Sequence, residues 1–343
     1  MAKYLKVAPG WAGRTLFEAV RQAFPEIGPR EVFRKARKGE IRRNGTLCHP
    51  LDHLDPGDVL AVTLFREAPP PPAAPLRRDV PVETPAGGFF LVWEDDHLLA
   101  VSKPPGCASH PALKHGGDTL IERVRAYLGT RPADPFQPAL ANRLDLQTSG
   151  LVLVAKTRGA QRRLGRHLQQ GGVRKLYLAL VAGWPEPAAG DIRAPLLRRT
   201  DSRERRRLPP GDPRLRGRVQ EARTRYRTLE RLAQPLETAL LELDLLTGRT
   251  HQIRRHLAGV GHPVAGDDRY GDPAFNADYR HVCGVGRMFL HAHRVALAHP
   301  ATGRPLELTA PLPADLLRGV RALGSGLPGL GLGEPLDPGA EPV

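Results

Sequence analysis

Residues 66–88 read REAPPPPAAPLRRDVPVETPAGG, and no other stretch restricts the possible folds of this chain so strongly. Proline locks φ and removes the backbone donor, so a run of this kind neither continues a helix nor sits in a central strand. It reads as a semi-rigid linker. The chain of 343 residues therefore divides into a small domain, 1–65, and a large one, 89–313, a length that suits two cores. The remainder, 314–343, is Gly/Pro-rich from Gly324 onward and is expected to be largely disordered.

Charge narrows the class of partner. Lys plus Arg is 51 against 36 for Asp plus Glu, a net +15. Such a surface suits a polyanion, and phosphate backbones are the commonest one. Within 198–227, twelve arginines face four acids (Asp201, Glu204, Asp212 and Glu221), a net +8. Pro209, Pro210, Gly211, Pro213 and Gly217 interrupt that block, which reads as a basic loop beside a phosphate backbone. The plainer account is an arginine-rich composition with solvated side chains. Cys48, Cys107 and Cys283 match no metal spacing and suit a reducing compartment. No secretion signal or apolar span long enough for a membrane is present, so a cytoplasmic protein without membrane partners is expected.

In the small domain, Thr15–Ala23 and Arg30–Lys38 read as helices, the second following Gly28-Pro29 and stopping at Gly39. Asn44-Gly45 is a hairpin signal, and an alternating strand ends the domain. The wording RKGEIRRNG, then LDPGDVLAV, resembles the RNA-binding domain first described in ribosomal protein S-four. That resemblance implies that Arg30, Arg34, Lys35, Arg37, Lys38, Arg42 and Arg43 meet RNA phosphates. A merely solvated helix face is the alternative.

The large domain alternates strands with few helices. FFLVWEDD, LLAVSKPPG, LVLVAKT, KLYLALVAG, ARTRYRTLERL, TALLELDLLTG and FLHAHRVALAHP read as strands. Asp118–Leu128, Gly159–Gln169 and His251–Gly259 read as helices. Most links are too short for parallel crossovers, so an α+β fold with a mixed, largely antiparallel sheet and flanking helices is expected.

No phosphate loop, dinucleotide fingerprint, serine elbow or HExxH occurs. His251/His256 and His291/His293 lack a third ligand at a suitable spacing, which argues against zinc. Three segments carry polar groups where structure alone does not ask for them. In ANRLDLQTSGLVLVAKT, 141–157, Arg143 and Asp145 precede an apolar strand, where unpaired charge is costly. In RKLYLALVAG, 174–183, Tyr177 lies inside a strand. In LLTGRTHQIRRHLAGVGHPVAGDDRYG, 245–271, a strand turns at Gly248 into a helix with Gln252, Arg254 and Arg255 near its start. Each also has a structural account: an ion pair, a core tyrosine, solvated arginines.

Together and in this order, RLDLQTSGLVLVAK, RKLYLALVAG and TGRTHQIRRHL with GHPVAGDDRYG resemble the RluA family of pseudouridine synthases. VSKPPGCASHP, 101–111, resembles the family's lead-in, so the likeness spans about Phe89 to Pro313. It implies a pseudouridine synthase fold that isomerises specific uridines in RNA, most often large-subunit ribosomal RNA and otherwise transfer RNA. Asp145 matches the essential carboxylate, Tyr177 the aromatic against the base, and Arg254 the basic partner of the aspartate. Ile253 then packs near the base, while Arg143 contacts phosphate or fills the place of the flipped base. Asn142 stands where the family usually has His. No metal, nucleotide or redox cofactor is implied, and a monomer without an obligate protein partner is expected.

Pseudouridine formation requires the base to leave its stack before any side chain reaches the sugar. An ionised Asp145 then either attacks C1′ or removes the 2′ proton, and the Arg254 fork can hold it in one plane. Tyr177 offers a flat surface and a hydroxyl for the C5 proton. Two other classes remain open: a non-catalytic RNA-binding or ribosome-assembly protein with the same fold, and a histidine-based metallohydrolase. If 198–227 lies along phosphates, replacing its arginines by glutamine flattens log K against log salt by about 0.7–0.9 per lost contact. An unchanged slope in a filter-binding titration means they point elsewhere.

Overall fold

The computed structural model describes residues 2–25, 27–63, 77–85, 87–111, 118–197 and 219–326. Most of the arginine-rich block, 198–218, lies outside the described residues. The chain forms two compact units, which divide at Pro72 and Ala73.

In the small unit, β1 (Ala2–Lys6) precedes α1 (Leu16–Ala23) and α2 (Pro29–Arg37). Then follow β2 (Ile41–Arg43), β3 (Thr46–Leu47) and β4 (Val59–Thr63). A capping box starts α1, with Thr15 and Glu18 each bonding the other's backbone N–H. Pro29 occupies the first turn of α2, where its missing N–H is no loss. Asn44 and Gly45 both adopt positive φ, 51° and 80°, the pair of left-handed residues that joins β2 to β3 tightly. The sheet runs β1-β4-β2-β3. Sequence patterning missed β1, because only Leu5 of that exposed edge strand is even partly buried.

The large unit is built on a sheet of eleven described strands. β5 (Arg77–Val82), β6 (Phe89–Glu94) and β7 (Leu98–Lys103) lead into α3 (Leu120–Tyr127). β8 (Ala139–Leu140), β9 (Ser149–Ala155), α4 (Arg158–Gln169) and β10 (Val173–Ala182) follow. Next come β11 (Ala189–Ile192), β12 (Leu196–Leu197), β13 (Val219–Gln220), β14 (Thr224–Leu232) and β15 (Thr238–Leu245). The chain closes with α5 (Gln252–Gly259), α6 (Pro273–Cys283), β16 (Leu290–Ala298), β17 (Pro305–Thr309) and α7 (Ala314–Ala322). The sheet order is β11-β14-β15-β10-β16-β9-β7-β6-β5, with β17 on β16 and β8 on β9. β12 and β13 make a separate ribbon. Every described pairing in the large sheet is antiparallel except β16 with β9, so the α+β fold has the expected mixed sheet.

Two boundaries differ from the sequence reading. Arg77–Val82, inside the proline-rich stretch, is a strand paired with β6. Pro81 is tolerated there because β5 is the last strand of the sheet and one side of its backbone needs no partner. The segment after 313 begins with a packed helix, not a disordered tail. Leu316 and Val320 of α7 enter the core formed by Tyr279, Phe289 and Leu312, and Arg287 holds Asp315 at 2.7 Å.

β10 runs through the middle, with Tyr177, Ala179 and Val181 in one core and Leu178 and Leu180 in another. Its register against β16 slips between Leu176 and Tyr177, an irregularity of the kind that re-aims a side chain. At the β9–β16 crossing, Gly150 faces Ala292 with φ 111°. A Cβ there would lie 2.2 Å from the Ala292 carbonyl oxygen, so only glycine allows the two backbones to meet. Gly150→Ala is expected to destabilise the protein by about 2–5 kcal/mol through strain and overpacking. A lower urea midpoint at unchanged slope checks it.

Candidate active site

The turn from Asn142 to Thr148 enters the fully buried β9, and four ties hold it. Asn142 Nδ2 donates to the Leu151 carbonyl (3.2 Å) and its Oδ1 accepts from Leu153 N–H (2.9 Å). Thr148 N–H closes the turn on the Asp145 carbonyl (3.1 Å). The Ser109 hydroxyl donates to Leu144 O (2.9 Å) and accepts from Leu144 N–H (3.1 Å). Lys103, with no exposed surface, gives three bonds to carbonyls, Pro104 and Cys107 at 2.8 Å and Leu146 at 3.1 Å. Burial pushes the Lys103 pKa down to about 8, yet its three donors find three acceptors. Sequence reading quoted VSKPPG without singling out Lys103; its signal was a lysine ending an apolar strand.

The turn carries Asp145 half-buried toward α5. Arg254 Nη1 donates to Asp145 Oδ2 at 3.0 Å, and His251 Nε2 lies 3.9 Å from the same oxygen. The helix start that places them is itself pinned. Gln252 is buried, accepting from Thr247 Oγ1 (2.7 Å) and Arg249 N–H (3.0 Å) and donating to Arg223 O (3.0 Å) and Thr224 Oγ1 (2.9 Å). All four bonds tie it to its own fold. Arg255 turns away and donates to Leu197 O (3.2 Å). His251 holds φ 54° at the helix start, a strained setting for a residue with a Cβ. Its Nδ1 lies 3.1 Å from the Tyr270 hydroxyl.

Asp145, Tyr177, Ile253, Arg254 and Arg143 all line one cavity of about 90 Å³. It adjoins a groove of about 1020 Å³ that also carries His110, Lys175 and Arg249. Tyr177 is 6% exposed, and burial, then the nearby Asp145 charge, push its pKa well above the usual phenol range. The phenol stays protonated, so Tyr177 is a flat wall of the cavity and not a resting base, contrary to the role allowed for its hydroxyl above.

The small unit divides its basic residues. Arg34, Arg37, Lys38 and Arg42 are exposed, although Arg34 pairs with Glu31 at 2.7 Å and Arg42 donates to Gly45 O at 3.0 Å. Lys35 is 4% exposed and donates to Thr63 O (2.5 Å) and Glu40 (3.4 Å). Arg43 is half-buried between Asp55 (2.7 Å) and Asp58 (2.6 Å). Neither Lys35 nor Arg43 is on offer to RNA as expected from sequence, because each already compensates carboxylates or carbonyls of its own unit.

Residues 97–259 match the family model described as RNA pseudouridylate synthase. The ribosomal large subunit pseudouridine synthase C of Vibrio cholerae is 37% identical over 323 residues, covering 92% of this chain and 94% of that protein. This chain belongs to the RNA pseudouridylate synthase family. The enzyme of the same name from Escherichia coli K12 is 34% identical over 335 residues, covering 94% and 96%. Among solved structures, human RNA pseudouridylate synthase domain containing 4 aligns at TM-score 0.53 and 26% identity, covering 69% of this chain and 93% of that one. The protein is thus an isomerase that forms pseudouridine in RNA, and its large unit has the pseudouridine synthase fold.

Two further histidines, His256 and His291, support the framework of this synthase. His256 spans Thr224 Oγ1 and Ala194 O, both at 2.9 Å. His291, fully buried between Ser149 Oγ (3.0 Å) and Ala310 O (3.2 Å), has its pKa pushed down to about 3 by burial. The folded protein keeps this ring neutral, while the unfolded chain protonates it below about 6.5. Its contribution to stability is therefore full above that pH and declines as pH falls toward 3. His291→Gln is expected to flatten this part of the stability–pH curve, as read by urea unfolding at stepped pH; an unchanged slope would contradict the neutral assignment.

Proposed function

We propose that the enzyme acts on large-subunit ribosomal RNA in the cytoplasm, with Asp145 as the carboxylate that reacts at the ribose of the target uridine. The observation that carries this is the single Arg254–Asp145 bond at the mouth of a cavity walled by Tyr177 and Ile253. The isomerisation breaks the N1–C1′ bond and forms C5–C1′, with the C5 proton lost and N1 protonated. Attack at C1′ and removal of the 2′ proton both need an ionised carboxylate, and the Arg254 guanidinium at 3.0 Å holds that group in place.

Tyr177 presents its ring to the uracil, and Ile253 limits its movement. Arg143, exposed at the rim of cavity and groove, meets the backbone or the gap left by the flipped nucleotide. Flipping is cheapest from loops and helix ends, which ribosomal RNA supplies in abundance. The large-subunit target is supported by the names of the Vibrio and Escherichia relatives, which match nearly the whole chain. The small unit acts as an S-four-type RNA anchor through Arg34, Arg37, Lys38 and Arg42, and the net charge of +15 suits an RNA partner.

Asp145→Asn is expected to lower pseudouridine formation roughly 10⁴-fold or more while RNA affinity stays within about threefold. The assay uses purified large-subunit ribosomal RNA and transfer RNA from cells lacking the gene, with pseudouridines mapped afterwards. Turnover in the variant would remove Asp145 from the reaction, and modification confined to transfer RNA would move the substrate.

A further inference from the structure

The segment that matches the family model ends at residue 259, short of the most enclosed carboxylate near the site. Asp267 has a side chain with no exposed surface, and four donors converge on it. Arg254 Nε reaches Oδ2 at 2.7 Å and Arg254 Nη2 reaches Oδ1 at 2.8 Å. The backbone N–H groups of Arg269 (2.9 Å) and Tyr270 (3.2 Å) also donate to Oδ1. The turn that carries it is anchored in turn. Asn276 accepts from Gly266 N–H (2.8 Å) and donates to the Asp267 carbonyl (3.1 Å), to which Gly271 N–H also donates (2.9 Å). The Tyr270 ring centre lies 5.1 Å from the Arg254 guanidinium and closes one face of it.

This arrangement divides the guanidinium between two carboxylates. The fork of Nε and Nη2 is committed to Asp267, which is the geometry a bidentate pair prefers. Only Nη1 remains for Asp145, and it touches Oδ2 alone. The Oδ1 atom of Asp145 is left without a guanidinium contact. Were Asp267 absent, nothing else described would hold the fork, and an arginine has rotamer freedom enough to leave the carboxylate. Burial works against the Arg254 charge, but Asp267, and after it Asp145, push its pKa up.

We propose that Asp267 is a positioning residue for the isomerisation: it fixes Arg254 so that one nitrogen meets Asp145 and one Asp145 oxygen stays available to the ribose. This rests on Asp145 being the reacting carboxylate. Asp267 touches no substrate and acts through Arg254, so a cycle of Asp267→Asn, Arg254→Gln and the double variant tests it. Each single variant is expected to lower kcat roughly 10²-fold with KM changed by no more than about threefold. The double variant should then be no worse than Arg254→Gln, because both remove one arrangement. Losses that multiply would assign Asp267 an independent structural role and overturn the proposal, as would near-normal kcat in Asp267→Asn.

If Asp267→Asn does not fold, Arg254→Lys carries the test, since lysine keeps the charge but has no fork. It is expected to show the same loss of kcat, and normal turnover would overturn the idea. Asp145→Asn made in parallel keeps the two readings apart, because the cycle concerns Arg254 and Asp267 alone.

Discussion

The close approach of β9 and β16 at Gly150 is the constraint on which the site depends. Where a side chain would meet the Ala292 carbonyl, the absence of one lets the two halves of the large sheet join in the one parallel pairing described. The turn that carries Asp145 is the chain's entry into β9, and Leu290, at the start of β16, lines the same cavity as Asp145. β10 sits on the other side of β16 and contributes Tyr177 just after a slip in register. A loosened crossing would therefore disturb three walls of the cavity together.

Around that crossing, Lys103, Asp267 and His291 are buried with hydrogen-bond partners, whereas the Thr148 hydroxyl just before β9 has none among the described residues. Lys103 meets three carbonyls, and Asp267 meets a guanidinium fork and two backbone N–H groups. His291 stays neutral between a hydroxyl and a carbonyl. Unpaired, any of these would carry a desolvation penalty of some kcal/mol. Paired, they tie segments from distant parts of the chain into one rigid frame. Asp145 is the less enclosed member, with one strong bond and a place in the cavity lining, which suits the role proposed for it.

Much of this was legible in the residues. The strands of the large domain, the capped helices and the Asn44-Gly45 turn follow from local pattern, because their causes lie within a few neighbouring residues. Asp145, Tyr177 and Arg254 were candidates through family motifs, and the structure brings all three to one cavity. What went unread was context. Arg77–Val82 looks like linker until β6 lies beside it, and Ala314–Ala322 looks like the start of a tail until Tyr279 and Phe289 offer it a core.

The sequence by itself determined most element types, the family, and which residues, Asp145, Tyr177 and Arg254, are the candidates for its reaction. Only the tertiary structure decided which charges are available and which are already engaged. Lys35 and Arg43 look like Arg34 and Arg37 in a string of letters, yet the fold surrounds the first two with acceptors and leaves the others in water. Asp267 likewise becomes a partner of Arg254 only when the turn after α5 folds back on the helix. The physical reason is that ion pairing depends on distance in space and on local dielectric, and neither is a property of a residue's neighbours in sequence.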